Sequence, residues 1–577
     1  MNPYFIKPIL KSITLLLFFV AMVSCKKTED ANNGIEDIFS KNELPQATTD
    51  SLYVLNFLND QPKFKEHEDF MFQFYSERDY KLAWFKNNEP VPQVEKFLSA
   101  IDGASKEGLD PKNYRSVDFE ALLKKYNEMD SDDSTRLKMQ QELDVALTAS
   151  YFNYASDFYR GRINPQNVSQ IDWGVKQNKI KLHKALQTIL EERESTYPYY
   201  EFEALHKGYS DLRDALQKLR AIEKKGGWTK VTLTDRKMLK KGDTAVAVLQ
   251  VRQRLNPDMN LNTENPALKL FDDTLEKQVK HFQMLHGLEE DGIVGGGTLT
   301  TMNVPVEKRI DQIMVNMERW RWIPKRLVPK KLDQRFIWVN IPEYKLYIYE
   351  DPDGEPDAER SYKEVMNMKV VVGKTMNSTP IFSEKLEYVV LAPYWNVPNS
   401  IVEKEIKPAM LNNPGYLERS NMEVVTKEKN PKPISTSSID WSSVTEKNFP
   451  YMVRQRPGPK NSLGDMKFLF PNSHNVYLHD TPADALFNQR ERGFSHGCVR
   501  LEKPIELAKY VLKDMPEWNE DRIRDAVNSG EEEWVTLPKE IQVYLVYFTS
   551  WVDAKGQVHY REDIYGHDKK LSQALFS

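Results

Sequence analysis

Three kinds of hydrophobic spacing succeed one another along this chain. Ile13 to Met22 form a nearly unbroken apolar run, too short to cross a hydrocarbon core of ~30 Å comfortably. From about 49 to 230 the spacing is helical. Leu143, Leu147, Tyr151, Tyr154 and Phe158 recur every three or four positions, which predicts an aromatic face turned to a core rather than a ligand box. Leu122 to Tyr126 mark another helical patch, and Gly161 to Pro165 stop the long one. Shorter helical units follow between 232 and 304. Gly242-Asp243 predicts an N-cap ahead of Val248, Val251 and Leu255, and Asp272-Asp273 opens a second helix through Leu275, Val279 and Phe282 to Gly287. Asp291 to Gly295 then turn into a third, short helix.

From about 333 the signal changes to strands. Phe336–Pro342, Lys345–Tyr349, Lys369–Val372, Tyr388–Leu391 and Ile541–Trp551 are rich in β-branched and aromatic residues, and Asp351 to Gly354 are a turn signal. Between Trp395 and Tyr451 the strand pattern lapses into a polar, helical-looking stretch, an insertion of the length expected for a cap. The predicted fold is multidomain α+β. A helical scaffold covers 49–230, a three-helix unit 232–304, a linker 305–332, and a β-rich domain 333–577 with a helical cap at about 396–452.

Charge and cysteine count sharpen this picture. The net charge of −5 supplies no basic field for nucleic acid. Lys7 and Lys11 stand just ahead of the first apolar run, which reads as an export signal over residues 1–24. Val23-Ser24-Cys25 resembles a bacterial lipobox, so Cys25 is expected to carry lipid, and the patternless polar stretch 25–48 to serve as a tether. Only two cysteines are present. With Cys25 lipidated, Cys498 is a lone thiol in an oxidising compartment, where unpaired cysteines are otherwise avoided. That alone marks Cys498 as a working residue.

Its surroundings supply the chemistry. Val476 to Leu478 read as a short strand delivering His479, Gly493 and Gly497 allow a tight loop, and Pro504 begins a helix to Leu512. A cysteine beside His479 and His496, just ahead of a helix, is expected to have a lowered pKa and to alkylate quickly near neutral pH. His479 is the natural general base. The backbone N–H groups of Gly497 and Cys498 are candidates for an oxyanion hole, and Arg500 for positioning a carboxylate or bracing the loop. A zinc site from His479, His496 and Cys498 qualifies by residue type, but no further ligand or glutamate base accompanies it, so no metal and no cofactor are assigned. His474, after Phe470-Pro471-Asn472-Ser473, reads as a surface residue.

His479, sixteen positions before Ser495, followed by Ser495-His496-Gly497-Cys498-Val499-Arg500, is similar to the signature of the L,D-transpeptidase family, with its YkuD-type catalytic domain. Arg456-Pro457-Gly458-Pro459, Asn461, Leu463, Gly464 and Phe468 look like the approach to that site. Asn316 to Trp322 and Trp395-Asn396-Val397-Pro398 resemble hallmarks of large multidomain members, and the 232–304 unit resembles a small peptidoglycan-binding domain. The resemblance implies that Cys498 attacks the bond before the terminal D-alanine of a tetrapeptide stem and forms a thioester. An amine of a second stem then resolves it as a 3→3 cross-link. It further implies that His479 is the acid/base, oriented by a backbone carbonyl, with Ser495, His496, Gly497, Arg500 and Tyr477 in support, and that carbapenems trap the thioester. Expected partners are donor and acceptor stem peptides and glycan, with the membrane reached through the N-terminal lipid. The expected place is the bacterial cell envelope, facing the periplasm. An L,D-carboxypeptidase or endopeptidase using the same site, and an inactive membrane-to-wall tether, stand as alternatives.

Overall fold

The computed structural model describes residues 46–576 apart from 131–132, 169–170, 172–173, 192–205, 259–260, 325, 329–331 and 352–361. The export signal, Cys25, most of the tether and most of the Asp351–Gly354 turn therefore lie outside the described residues.

The scaffold is built on one helix, Arg136–Arg160. The predicted aromatic face is its core: Leu143, Leu147, Tyr151, Tyr154 and Phe158 are all buried, and the helix stops at Gly161 with φ +88. Its polar anchor is Asp144, fully buried, whose carboxylate accepts from the backbone N–H groups of Ala83 (2.6 Å) and Trp84 (2.7 Å) and from the Tyr75 hydroxyl (2.7 Å). These bonds satisfy donors that would otherwise be orphaned in an apolar interior.

The small unit has helices Val246–Leu255, Asp273–Leu285 and Gly296–Met302 around Val248, Val251, Leu275, Val279 and Phe282. Asp272 caps the second as predicted, accepting from Leu275 N–H at 2.8 Å. The first differs. Its N-cap is Ala245, with no side-chain cap, because the Asp243 carboxylate is taken by Lys240 N–H at 2.8 Å in the preceding turn.

Where a linker was expected, Val306–Trp322 forms a helix with buried Arg309, Asn316, Glu318, Arg319 and Arg321. It acts as a central strut. Glu318 accepts from Ile163 N–H of the scaffold (2.8 Å) and pairs with Arg321 (2.9 Å), while Asn316 bonds Thr549 of the β-rich domain (2.8 Å).

Nine strands of the β-rich domain share one sheet: β1 (Arg335–Asn340), β2 (Lys345–Glu350), β3 (Lys363–Gly373), β4 (Phe382–Leu391), β5 (Met466–Leu469), β6 (Leu478–His479), β7 (Gly493–Ser495), β8 (Val499–Leu501) and β9 (Glu533–Val546). They run in the order β7-β3-β8-β6-β5-β4-β9-β1-β2, and β2 pairs back onto β3, so the sheet closes around its apolar core. The last strand is shifted relative to the prediction, beginning at Glu533 instead of Ile541. It ends at Val546, and Ser550–Val552 turns away to pair with Val558–Tyr560.

The cap departs from the helical expectation. Short helical segments from Asn399 to Arg419, including a π-helical turn at Val402–Ile406, pack on a four-stranded sheet of Trp395–Asn396, Met422–Val425, Pro433–Ile434 and Met452–Gln455. Strand pairing of Trp395–Asn396 with Met452–Gln455 closes the neck of the insertion, which isolated sequence spacing did not reveal.

Candidate active site

β6 and β8 lie side by side and parallel, with Leu478 opposite Val499 and His479 opposite Arg500. Leu478 and Val499 enter the core, so the pleat sends their neighbours Tyr477, His479, Cys498 and Arg500 to the other face together. Val499 N–H donates to the Tyr477 carbonyl at 3.1 Å, which fixes this register.

Cys498 stands at the entry of a strand, not immediately before a helix as predicted. The helix Pro504–Val511 starts only after β8. Its thiol points to the Asn475 carbonyl at 3.8 Å, offered by a residue in the left-handed region (φ +54). Burial raises the Cys498 pKa, against opposing hydrogen bonds from Tyr477 and the charge of Arg500. The expected lowering is thus reversed, because desolvation disfavours a thiolate and no helix N-terminus offsets it.

His479 is buried, and its Nδ1 lies 2.5 Å from the Asp480 carbonyl oxygen. A carbonyl only accepts, so Nδ1 carries the hydrogen and Nε2 keeps a lone pair. Burial pulls the imidazole pKa down to about 3, Arg500 acts in the same direction, and the Asp480 and Leu463 carbonyls oppose it. At neutral pH the ring is an uncharged base. Asp480 is itself held in place: its carboxylate accepts from Asp465 N–H at 2.7 Å and burial pushes its pKa up to about 6. It also fills the space beside Gly464 (φ +61), where a Cβ would collide with it.

Ser495 shapes the loop. Its hydroxyl donates to the Cys498 carbonyl (2.5 Å) and accepts from Gly497 N–H (3.1 Å). Gly497 N–H is therefore committed, which removes one of the two predicted oxyanion donors and leaves the Cys498 N–H. Gly497 itself has φ +119, and its carbonyl accepts from the Thr379 hydroxyl at 2.8 Å. Arg500 is half-buried, and among the described residues its Nε has no partner. His496 meets Glu405 of the cap at 2.9 Å. His474 is half-buried rather than a surface residue. Its ring tilts against Phe382 at 4.9 Å, in the wall of a cavity of about 340 Å³ that His496 and Gly497 also line.

Four contributors escaped the sequence. Asp480 orients His479 through its backbone, which no side-chain motif encodes. Thr379 and Glu405 arrive from distant segments. Trp395 and Cys498 both act on the Tyr477 hydroxyl, whose pKa burial raises; the signal for Trp395 was the Trp395–Pro398 motif, read only as a resemblance.

A thiol, a neutral imidazole and an unpaired guanidinium on one face of a closed sheet, beneath an inserted cap, are suited to acyl transfer on a substrate bearing a carboxylate. The comparisons agree with that class. Residues 334–523 match the model of the L,D-transpeptidase catalytic domain, residues 244–302 that of a "Putative peptidoglycan binding domain", and residues 69–216 that of a scaffold domain. The chain carries an L,D-transpeptidase catalytic domain together with these two accessory domains. It is 34% identical over 276 residues to a Haemophilus influenzae protein named "Putative L,D-transpeptidase", across 47% of this chain and 52% of that protein. The chain thus spans about half the length of that relative. A 100-residue stretch, 17% of this chain, is 24% identical to epoxide hydrolase 1 of Sus scrofa over 22% of its length. An L,D-transpeptidase structure from Mycobacterium smegmatis aligns at 13% identity over 37% of this chain and 59% of its own, with a TM-score of 0.16 that carries no argument.

Proposed function

We propose that the chain forms 3→3 cross-links in peptidoglycan through a thioester on Cys498. The observation that carries this reading is the His479 tautomer: Nδ1 is held by the Asp480 carbonyl, so Nε2 is the base on the face shared with Cys498. As Sγ attacks the carbonyl between the third stem residue and the terminal D-alanine, the thiol proton passes to His479. The protonated imidazole returns it to the departing D-alanine amine, leaving a thioester and a neutral ring. An amine of a second stem then attacks the thioester, and the thiol is restored. In this reading the Cys498 N–H receives the oxyanion, and the Arg500 guanidinium holds a stem carboxylate. Tyr477 and Ser495 keep the thiol and its loop in position, and His496 ties the loop to the cap. Lipid on Cys25 would fix the enzyme to a membrane, with its domains facing the periplasm.

Intact-protein mass spectrometry tests this reading. Incubation with a carbapenem, and separately with tetrapeptide muropeptides, is expected to give a covalent adduct on Cys498 and cross-linked dimers. An adduct accompanied only by hydrolysed tripeptide would make the protein an L,D-carboxypeptidase. Folded protein with neither adduct nor turnover would leave the tethering role.

A further inference from the structure

Away from the loop 495–500, the small three-helix unit, the central helix Val306–Trp322 and the segment after Tyr560 enclose a cavity of about 540 Å³. Its wall balances Lys308, Arg309, Arg561 and Lys569 against Asp311, Glu562, Asp563 and Asp568, but one of the cations is buried. Arg309 is only 9% exposed, yet its Nε has no partner, and its side-chain hydrogen bond is from Nη1 to the neutral Gln312 (2.7 Å). The guanidinium lies over the Tyr560 ring at 4.5 Å. Arg561, on the same wall, donates to the carbonyls of Leu285 (3.0 Å) and Tyr560 (2.8 Å). Behind them Arg254 is 7% exposed, bonded to the Met302 carbonyl and seated over Trp228 at 3.9 Å. Among the described residues none of these three guanidinium groups forms an ion pair. Of the acids on the wall, Asp311 meets Lys308 (3.0 Å), Asp568 meets Arg319 (2.6 Å) and Asp563 meets the Tyr547 hydroxyl (2.7 Å), while Glu562 is exposed to solvent.

Burying a cation without a counter-charge is costly, and an anion brought to it recovers that cost. A guanidinium fork matches a carboxylate, and the cavity falls in the size range of small-ligand sites, several times the volume a lone phosphate fills. We propose that this cavity binds a carboxylate-bearing peptide of stem length, so that the peptidoglycan-binding domain grips its ligand jointly with the catalytic domain's C-terminal segment, through Arg309 and Arg561. The identity of the peptide rests on the peptidoglycan reading above.

Hydrogen exchange on the full chain, carrying Cys498→Ala to prevent turnover, separates the two sites. A disaccharide-tetrapeptide is expected to protect segments 304–312 and 558–565 as well as 475–500. In Arg309→Gln the first two should need at least tenfold more ligand, while 475–500 is unchanged, and Arg309→Lys should fall between. Amidating the peptide carboxylates should abolish protection at 304–312 and 558–565. Protection there that survives Arg309→Gln, or that inorganic phosphate alone reproduces, overturns the assignment. Protection confined to 475–500 also overturns it but leaves the proposed function standing, and protection at neither site removes both. Arg309→Gln removes an unpaired cation, so its Tm is expected to match or exceed that of the parent. A fall would show that Arg309 is structural, and would likewise overturn the proposal.

Discussion

Cys498 and His479 face each other's strands in uncharged form, and this sets the reaction's pH behaviour. Burial holds the thiol above its ordinary value and the imidazole at about 3, so between these limits the resting pair is thiol plus neutral base. Alkylation of Cys498 by iodoacetamide in the free enzyme is therefore expected to rise with pH and reach its midpoint above that of free cysteine, about 8.5. A midpoint near 6 would restore the thiolate expected from sequence. Acylation by substrate should instead stay level from about pH 5 to 8, because His479 takes the proton only as the bond forms. Cys498→Ala should give no adduct, and His479→Ala should slow acylation by about 10²–10⁴-fold, the usual contribution of a positioned base; a rate within threefold of the parent would remove His479 from the mechanism.

Single elements fix these side chains. β6 is two residues long, yet it positions His479 because β5 and β8 hold it on both sides. In the scaffold, Asp144 plays the comparable part for the turn carrying Ala83 and Trp84. Asp144→Ala would strand two buried backbone donors, and stability should fall by about 2–4 kcal/mol, measured by urea unfolding of the scaffold transition. The cap rests on a sheet whose first strand bears Trp395, beside Tyr477, and on Glu405, which meets His496. Glu405→Ala is expected to alter the KM for the acceptor stem more than the rate of adduct formation in steady-state and single-turnover assays. An equal loss in both would show that this contact supports the catalytic loop instead.

Across the whole molecule, the central helix Val306–Trp322 joins the domains into one body. At its scaffold end Gly161 has φ +88, and a Cβ there would lie 2.6 Å from Glu318 Oε1 and 2.7 Å from Trp322 Nε1. Gly161→Ala therefore strains the backbone and drives into a buried ion pair at once. A loss of about 2–4 kcal/mol is expected, with scaffold and catalytic domain separating into two transitions in calorimetry. A single unshifted transition would show that the joint is softer than its packing implies.

The sequence by itself determined what depends on local order. Residue period separated the helical scaffold from the β-rich domain, Asp272 and Gly161 marked helix ends, and the spacing of His479 from Ser495-His496-Gly497-Cys498 picked out the site. Those features are legible because backbone conformation and hydrophobic period act over a few residues. Tertiary structure decided the rest. The direction of the Cys498 pKa depends on burial by segments far away in the chain. Gly497 N–H was lost to Ser495 through a fold of the loop, the supposed linker became a strut because three domains bury its faces, and the cap's sheet formed from strands of two to four residues that only their partners stabilise. Charge follows the same rule: Arg309 is unremarkable in sequence, and only the packing around Tyr560 shows that it is buried with no counter-ion among the described residues.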